Sequence, residues 1–230
     1  MLFRSTDRIG ALCVSRPTNP TGNVLTDGEL RRLQQAAEAH DIPLIIDNAY
    51  GLPFPQIIFT EASLFWSGNI ILCLSLSKFG LPSARTGIII ATEEVTSRIS
   101  TMNAVFNLAL SSLGPALVLE LVRSGKIVDI SRDCIRPYYQ RKAARALALL
   151  KQELQGLDYR VHKPEGAIFL WLWLPGLPIT CAELYRRLKQ RGVLVIAGHH
   201  FFPGLEEDWR HKHECIRITY SMAEIGRAHV

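Results

Sequence analysis

A single lysine, set among hydroxyl groups and followed by an arginine, is the feature of this chain best suited to chemistry. Ser75 and Ser77 precede Lys78 closely, and Arg85 follows it seven positions later. Hydroxyl groups and a guanidinium are natural donors to a phosphate dianion. An amine beside a phosphate site can form a Schiff base with the aldehyde of a phosphorylated cofactor. The alternative is a surface lysine that packs its stem and extends its charge into water.

Polar residues also follow two apolar runs further upstream. Asp47 and Tyr50 come after one of them, and Asn19 lies in a proline- and glycine-rich turn after the other. Open α/β sheets bind ligands at the carboxyl ends of their strands. Taken singly, each residue is equally typical of a turn or a helix cap. Together with Lys78, which follows a third apolar run, they predict a cofactor site, and an amine beside phosphate donors points to pyridoxal 5′-phosphate.

These segments resemble the fold type I pyridoxal-phosphate aminotransferases of the class I/II group. The resemblance implies that Lys78 binds the cofactor covalently and that Asp47 pairs with the pyridine nitrogen. It also implies that Asn19 and Tyr50 hydrogen-bond the phenolic oxygen. The phosphate would then be held by Ser75, Ser77 and Arg85.

A second candidate binding residue, Arg217, stands in the middle of the apolar pattern from Cys215 to Tyr220. An unpaired charge is costly inside a protein, so this arginine lies either on the exposed face of a strand or beside an anion. The family resemblance favours the anion. It implies that Arg217 clamps the α-carboxylate of an amino acid substrate and that Asn19 also contacts the substrate.

A narrower resemblance within the same family extends from about residue 12 to 220. It rests on the segments 14–17, 47–55, 163–173 and 198–204. It implies transamination between an alanine- or valine-type amino acid and pyruvate or 2-oxoisovalerate, carried out by a cytoplasmic homodimer. It further implies that the chain is the C-terminal portion of such an enzyme. We therefore expect the chain alone to be inactive and poorly soluble.

Other functions are compatible with the same residues. One is the effector domain of a transcription regulator, which a basic helix-turn-helix upstream would identify. Another is a carbon–sulfur lyase, because the same lysine, aspartate and arginine serve elimination chemistry. A third is a remnant that folds without binding the cofactor.

The composition is that of a globular protein. The chain has 230 residues, of which 48% are hydrophobic, and a formal net charge of +5. The densest basic group, within 136–145, alternates with alanine and leucine, which is typical of an exposed helix face rather than a nucleic-acid site. No apolar run approaches the length of a membrane helix. We therefore expect neither a nucleic-acid nor a membrane partner.

The cysteines and histidines of this chain are candidate metal ligands. The five cysteines show no metal-binding spacing, and two of them lie in apolar runs, as reduced core cysteines do in cytoplasmic proteins. A metal is also suggested by four histidines near the C-terminus, namely His199, His200, His211 and His213. No acidic residue is spaced to complete a site with them. We therefore predict no metal site.

The elements that position these residues form an α/β pattern. We predict the C-terminal part of a cofactor-binding large domain in 1–130, with a mostly parallel sheet covered by helices. A smaller α+β domain follows in 131–223, and residues 224–230 are predicted to be a non-native tail. The predicted elements are strands ending near 14, 46 and 74, a fourth strand at 87–91, helices capped by Thr26 and Thr92, and a helical stretch 127–154 interrupted by Pro137. They continue with strands at 159–162 and 167–174, a helix at 180–190, and strands at 193–196 and 215–220.

Overall fold

The computed structural model describes residues 9–221, which form two compact units. The first comprises 9–17 and 24–136, and the second comprises 18–23 and 137–221. This division lies six residues after the boundary predicted at 130/131, and it assigns the short segment 18–23 to the second unit. The predicted tail, 224–230, lies outside the described residues. Across residues 9–221, no helix combines the length and apolar character needed to cross a membrane.

The first unit is built on a four-stranded mixed sheet in which the strands follow chain order. Its strands are β1 (Leu12–Ser15), β2 (Leu44–Asp47), β3 (Ile70–Ser75) and β4 (Gly87–Ile90). The first three pair in parallel, and β4 runs antiparallel to β3. This agrees with the predicted parallel-rich α/β fold.

The two faces of this sheet differ in burial because successive side chains of a strand point to opposite faces. One face belongs to the core and carries Leu44, Ile46, Ile70, Leu72 and Leu74, all less than 5% exposed. The residues between them on β2 and β3 are partly or fully exposed, including Asp47, Cys73 and Ser75. We call this second side the open face.

The helices of the first unit are α1 (Asp27–Ala39), α2 (Glu93–Asn107), α3 (Leu113–Arg123) and α4 (Lys126–Ile130). Leu30 of α1, Val118 of α3 and Ile127 of α4 belong to the same core cluster as the buried face. The predicted capping box is present: the Thr26 hydroxyl accepts from Glu29 N, and Glu29 accepts from Thr26 N. Thr92 is the N-cap of α2, but its side chain makes no capping hydrogen bond.

The helical stretch predicted at 127–154 consists of three consecutive segments. After α4, a π-helical turn spans Ser131–Ile135, and α5 (Arg136–Glu153) begins directly after it. Pro137 thus follows closely after the π-helical turn, in which Arg136 N donates to Ser131 O. This π-helical turn before the proline is the interruption of the α-helical stretch that the sequence predicted.

The second unit contains an antiparallel sheet with the strand order β5-β6-β8-β7. Its elements are α5, β5 (Arg160–Val161), β6 (Phe169–Trp173), α6 (Cys181–Gln190), β7 (Ile196–Ala197) and β8 (Cys215–Thr219). A separate core forms around Leu172, Cys181 and Ile216. This agrees with the predicted smaller α+β fold.

The strand predicted at 193–196 begins only at Ile196. Helix α6 ends in a Schellman motif, in which Gly192 N donates to Lys189 O and Val193 N donates to Leu188 O, each at 3.0 Å. Gly192 has a φ of +75°, as this motif requires. Val193 is therefore part of the helix end, and the prediction of a strand there was wrong.

Candidate active site

Asp47 is the last residue of β2 and lies on the open face of the first sheet. Its register partners are Ser15 on β1 and Cys73 on β3. One carboxylate oxygen accepts from Ala49 N at 3.1 Å, and the other accepts from the Ser15 hydroxyl at 3.4 Å. These two donors orient an exposed carboxylate at the carboxyl edge of the sheet, which is where a cationic ring nitrogen could be bound.

Lys78 follows β3 through a short 3-10 turn, Leu76–Lys78. The Ser75 hydroxyl caps this turn by accepting from Ser77 N at 3.2 Å. Leu76 anchors the turn, since its side chain is fully buried in the core. The Lys78 ammonium then lies 5.3 Å from the centre of the Tyr50 ring, within cation–π distance. The structure thus brings two predicted site residues together.

Arg85 follows the 3-10 turn Pro82–Ala84 and is exposed. Its φ of +44° lies in the left-handed region, which is unfavourable for a residue with a side chain. The next residue, Thr86, holds the loop to the turn that carries Lys78, because Thr86 O accepts from Leu76 N at 3.1 Å. Unusual backbone conformations of this kind are frequent at ligand-binding loops.

The second unit brings Asn19 and Arg217 together. One guanidinium nitrogen of Arg217 donates to the Asn19 side-chain oxygen at 2.7 Å. The guanidinium also lies over two aromatic rings, 4.9 Å from the centre of Phe169 and 5.0 Å from that of Phe201. Trp171, only 2% exposed, packs edge-to-face on Phe201 with ring centres 5.4 Å apart. Arg217 is thus a half-buried, well-supported cation of the kind that can bind a carboxylate.

Sequence reasoning missed Ser15, Phe169 and Phe201 as parts of these sites. Strand alternation contains a signal for one of them, because Phe169 is two residues from Trp171, the register partner of Arg217. Phe201 lies in the 3-10 helix Gly198–Phe201 and had no comparable signal. The contact of Ser15 with Asp47 depends on the register of β1 against β2, which the sequence does not reveal.

The histidine-rich segment contains a cluster that sequence spacing did not reveal. Within residues 9–221, the ligand atoms of Cys181, His199 and His213 lie within 4.8 Å of one another. The prediction of no metal site considered the histidines without Cys181. His211 belongs to a different contact, with its Nε2 3.4 Å from Cys215 Sγ.

Comparisons with known proteins bear on both units. Residues 4–228 match the family model of class I and II aminotransferases. The chain is 51% identical over 214 residues to valine–pyruvate aminotransferase of Escherichia coli (strain K12), across 93% of this chain and 51% of that protein. The solved structure of valine-pyruvate aminotransferase AvtA from Salmonella typhimurium LT2 is 50% identical, with a TM-score of 0.90 over 96% of this chain and 57% of that one. The chain thus spans about half the length of the curated relatives it matches.

Proposed function

Because this chain belongs to the class I and II aminotransferases, we propose that it carries the lysine-bearing part of a pyridoxal-phosphate active site. The enzyme transfers an amino group between an alanine- or valine-type amino acid and pyruvate or 2-oxoisovalerate. The 51% identity to the Escherichia coli enzyme supports this choice of substrates. A cytoplasmic homodimer is part of the same proposal. Five free cysteines support a reducing compartment.

The observation that carries this proposal is the common placement of Asp47, Ser75 and Lys78. The carboxylate and the hydroxyl end neighbouring parallel strands on the open face, and the amine follows three residues later. This donor set fits pyridoxal phosphate: a carboxylate for the cationic ring nitrogen, a primary amine for the aldehyde, and hydroxyl groups for the phosphate. Arg85 adds the guanidinium that a phosphate dianion favours.

Each residue then has a defined task. Pyridoxal phosphate, when bound, supplies an aldehyde that takes up an amino group and a ring that withdraws electrons from the substrate Cα. Asp47, oriented by the Ser15 hydroxyl and Ala49 N, holds a proton on the ring nitrogen. Lys78 is the base that takes the proton from the substrate Cα. Ser75, Ser77 and Arg85 would bind the phosphate.

The remaining predicted residues bind the substrate and the ring oxygen. Arg217 pairs with the α-carboxylate through its guanidinium fork, and Asn19 holds that fork in place through the 2.7 Å hydrogen bond. Tyr50 would donate a hydrogen bond to the phenolic oxygen of the bound cofactor. Its aromatic face supports the Lys78 ammonium.

The test of this function is covalent labelling of the complete gene product. After treatment with borohydride in the presence of the cofactor, peptide mass spectrometry should find the pyridoxyl group on Lys78. Lys78→Ala should lower the formation of pyruvate from alanine and 2-oxoisovalerate by at least about 10³-fold, since both covalent attachment and the general base are lost.

Lys142→Ala is the matched control, because the Lys142 ammonium also lies 5.3 Å from a tyrosine ring centre, that of Tyr138. The Lys142→Ala variant should still carry the pyridoxyl label on Lys78 and should keep its activity. A label on another lysine, or full activity without Lys78, would contradict the proposal. Release of ammonia in place of a new amino acid would favour the lyase alternative.

A further inference from the structure

We propose that the second unit binds a soft divalent transition metal, such as zinc, through Cys181, His199 and His213. The ligand atoms of these three residues lie within 4.8 Å of one another, and Cys181 Sγ is 3.3 Å from His199 Nδ1. One sulfur and two imidazole nitrogens form a typical donor set for zinc. The inference does not depend on the aminotransferase activity.

Three separate segments of the chain deliver these ligands. Cys181 is the first residue of α6, whose N-terminus is fixed by the Thr180 hydroxyl accepting from Glu183 N at 3.2 Å. His199 belongs to the 3-10 helix Gly198–Phe201 after β7, and His213 ends a second 3-10 helix just before β8. Because 18 and 32 residues separate Cys181 from the two histidines, the site matches no compact metal-binding motif.

The distances are close to those that a tetrahedral zinc ion needs. With Zn–S bonds of about 2.3 Å and Zn–N bonds of about 2.0–2.1 Å, the ligand atoms must be about 3.3–3.6 Å apart. The Cys181–His199 pair already has this spacing. The ligand atom of His213 lies within 4.8 Å of the other two, so a small shift of this partly exposed side chain would close the triad around a metal.

A carboxylate behind one of the histidines is a second, independent observation. His213 Nε2 lies 3.2 Å from Asp208 Oδ1, which leaves the other ring nitrogen for a metal. Metal-binding histidines usually donate their second N–H to a carboxylate or carbonyl, which fixes the ring and increases its basicity. Cys181 is fully buried, and the two histidines are partly exposed. The protein therefore encloses the sulfur, and solvent can supply a fourth ligand.

The alternative is a hydrogen-bonded cluster without metal, in which the Cys181 thiol contacts His199 and the Lys212 carbonyl, the latter at 3.5 Å.

Cobalt binding distinguishes the metal site from the hydrogen-bonded cluster. We would titrate the complete, chelator-treated protein with Co²⁺ and record difference spectra. A metal site predicts one Co²⁺ per chain, with a thiolate-to-cobalt charge-transfer band and visible bands of tetrahedral cobalt, all removed by added Zn²⁺. Absence of the charge-transfer band would overturn the proposal.

Variants locate the site. Cys181→Ser should abolish the charge-transfer band, and His199→Gln and His213→Gln should each weaken binding more than tenfold. Asp208→Asn should weaken it by about 10–100-fold, as loss of a supporting carboxylate does. Since Cys181 is buried, circular dichroism checks the folding of its variant, and the partly exposed His213 provides the test that least disturbs the fold. Cys134→Ser and His40→Gln, both at exposed positions, are the controls. Unchanged binding in the three ligand variants would refute the site.

Discussion

At the scale of single residues, the guanidinium of Arg217 is held by three neighbours. Asn19 fixes one guanidinium nitrogen at 2.7 Å, and the rings of Phe169 and Phe201 cover the group. An arginine fork can bind a carboxylate through two parallel hydrogen bonds, and its flat surface stacks on aromatic rings. A lysine offers neither feature, although it keeps the charge.

We expect Arg217→Lys to raise KM for the amino acid about 10–100-fold while changing kcat less, because a bidentate contact present in the bound substrate is weakened. Steady-state kinetics with alanine would measure this. Phe201→Leu should raise KM by a smaller factor, and Arg132→Lys, at an exposed position, should have no effect. A fall in kcat with an unchanged KM would argue against carboxylate binding.

Another residue-scale prediction concerns the pair Arg16–Asp27 in the first unit. Arg16, whose side chain is 4% exposed, donates to Asp27 Oδ1 at 2.6 Å. This hydrogen bond from Arg16 lowers the pKa of Asp27 to about 2, and a bond from Ser63 N adds to it. Asp27→Asn should therefore lower the free energy of unfolding by about 2 kcal/mol at pH 7.

The pH dependence of that effect has a definite sign. Since the pKa is depressed in the folded state, the stabilisation is complete above pH 4 and is lost as the pH falls toward about 2. Urea denaturation of the wild type and the variant should therefore converge in acid. Asp129→Asn removes an exposed partner of Arg132 and should cost almost nothing. A constant difference between pH 7 and pH 2 would contradict this assignment.

At the scale of elements, the end of α6 decides where the following strand begins. Gly192 adopts a φ of +75° there, and nothing lies within 4 Å of an added Cβ. The cost of Gly192→Ala is thus conformational alone, and we expect about 1 kcal/mol of destabilisation in thermal or urea unfolding. Gly68→Ala, which has equal space and no positive φ, should be neutral or slightly stabilising. Equal effects for both would rule out the backbone explanation.

Local signals predicted many elements, and tertiary contacts decided the rest. The capping box of Thr26 and Glu29 and the interruption at Pro137 depend on neighbouring residues and could be predicted. The apolar run 193–196 is typical of a strand, but Val193, its first residue, belongs to the Schellman motif at the end of α6. The contact between Asn19 and Arg217 could not be predicted from spacing, because 198 positions separate the two residues. Helix α3 was not predicted at all.

At the scale of the whole molecule, the family predicted from short motifs is confirmed, as is the α/β fold. The motifs that carry the resemblance lie at the carboxyl ends of strands, where open α/β sheets bind their ligands. The roles of the individual site residues stay predictions that the experiments above address. The domain boundary at 130/131 also stays a prediction, while the two compact units of the structure divide at 136/137.

An apolar surface on the first unit leads to a prediction about association. Several large apolar residues of α2 and the loop after it are strongly exposed: Val105 by 73%, Phe106 by 78%, Leu108 by 90% and Leu110 by 66%. Exposed apolar patches promote self-association. Val105→Lys combined with Phe106→Glu should therefore raise the monomer fraction of the 230-residue chain in sedimentation velocity. Ser97→Glu with Thr101→Lys makes the same charge change elsewhere on α2 and should leave association unaltered. An equal monomer fraction in the two double variants would show that this apolar patch does not drive the association.

The assignment of 18–23 to the second unit has a consequence for genetic dissection. This short segment supplies Asn19 to Arg217, and Gly22 O accepts from Glu165 N at 3.2 Å. The second unit is therefore not encoded by one contiguous stretch of the gene. A clone that starts at codon 137 would omit a piece of its own architecture, and a designer who wants this unit alone would have to splice codons 18–23 back in or add them as a separate peptide.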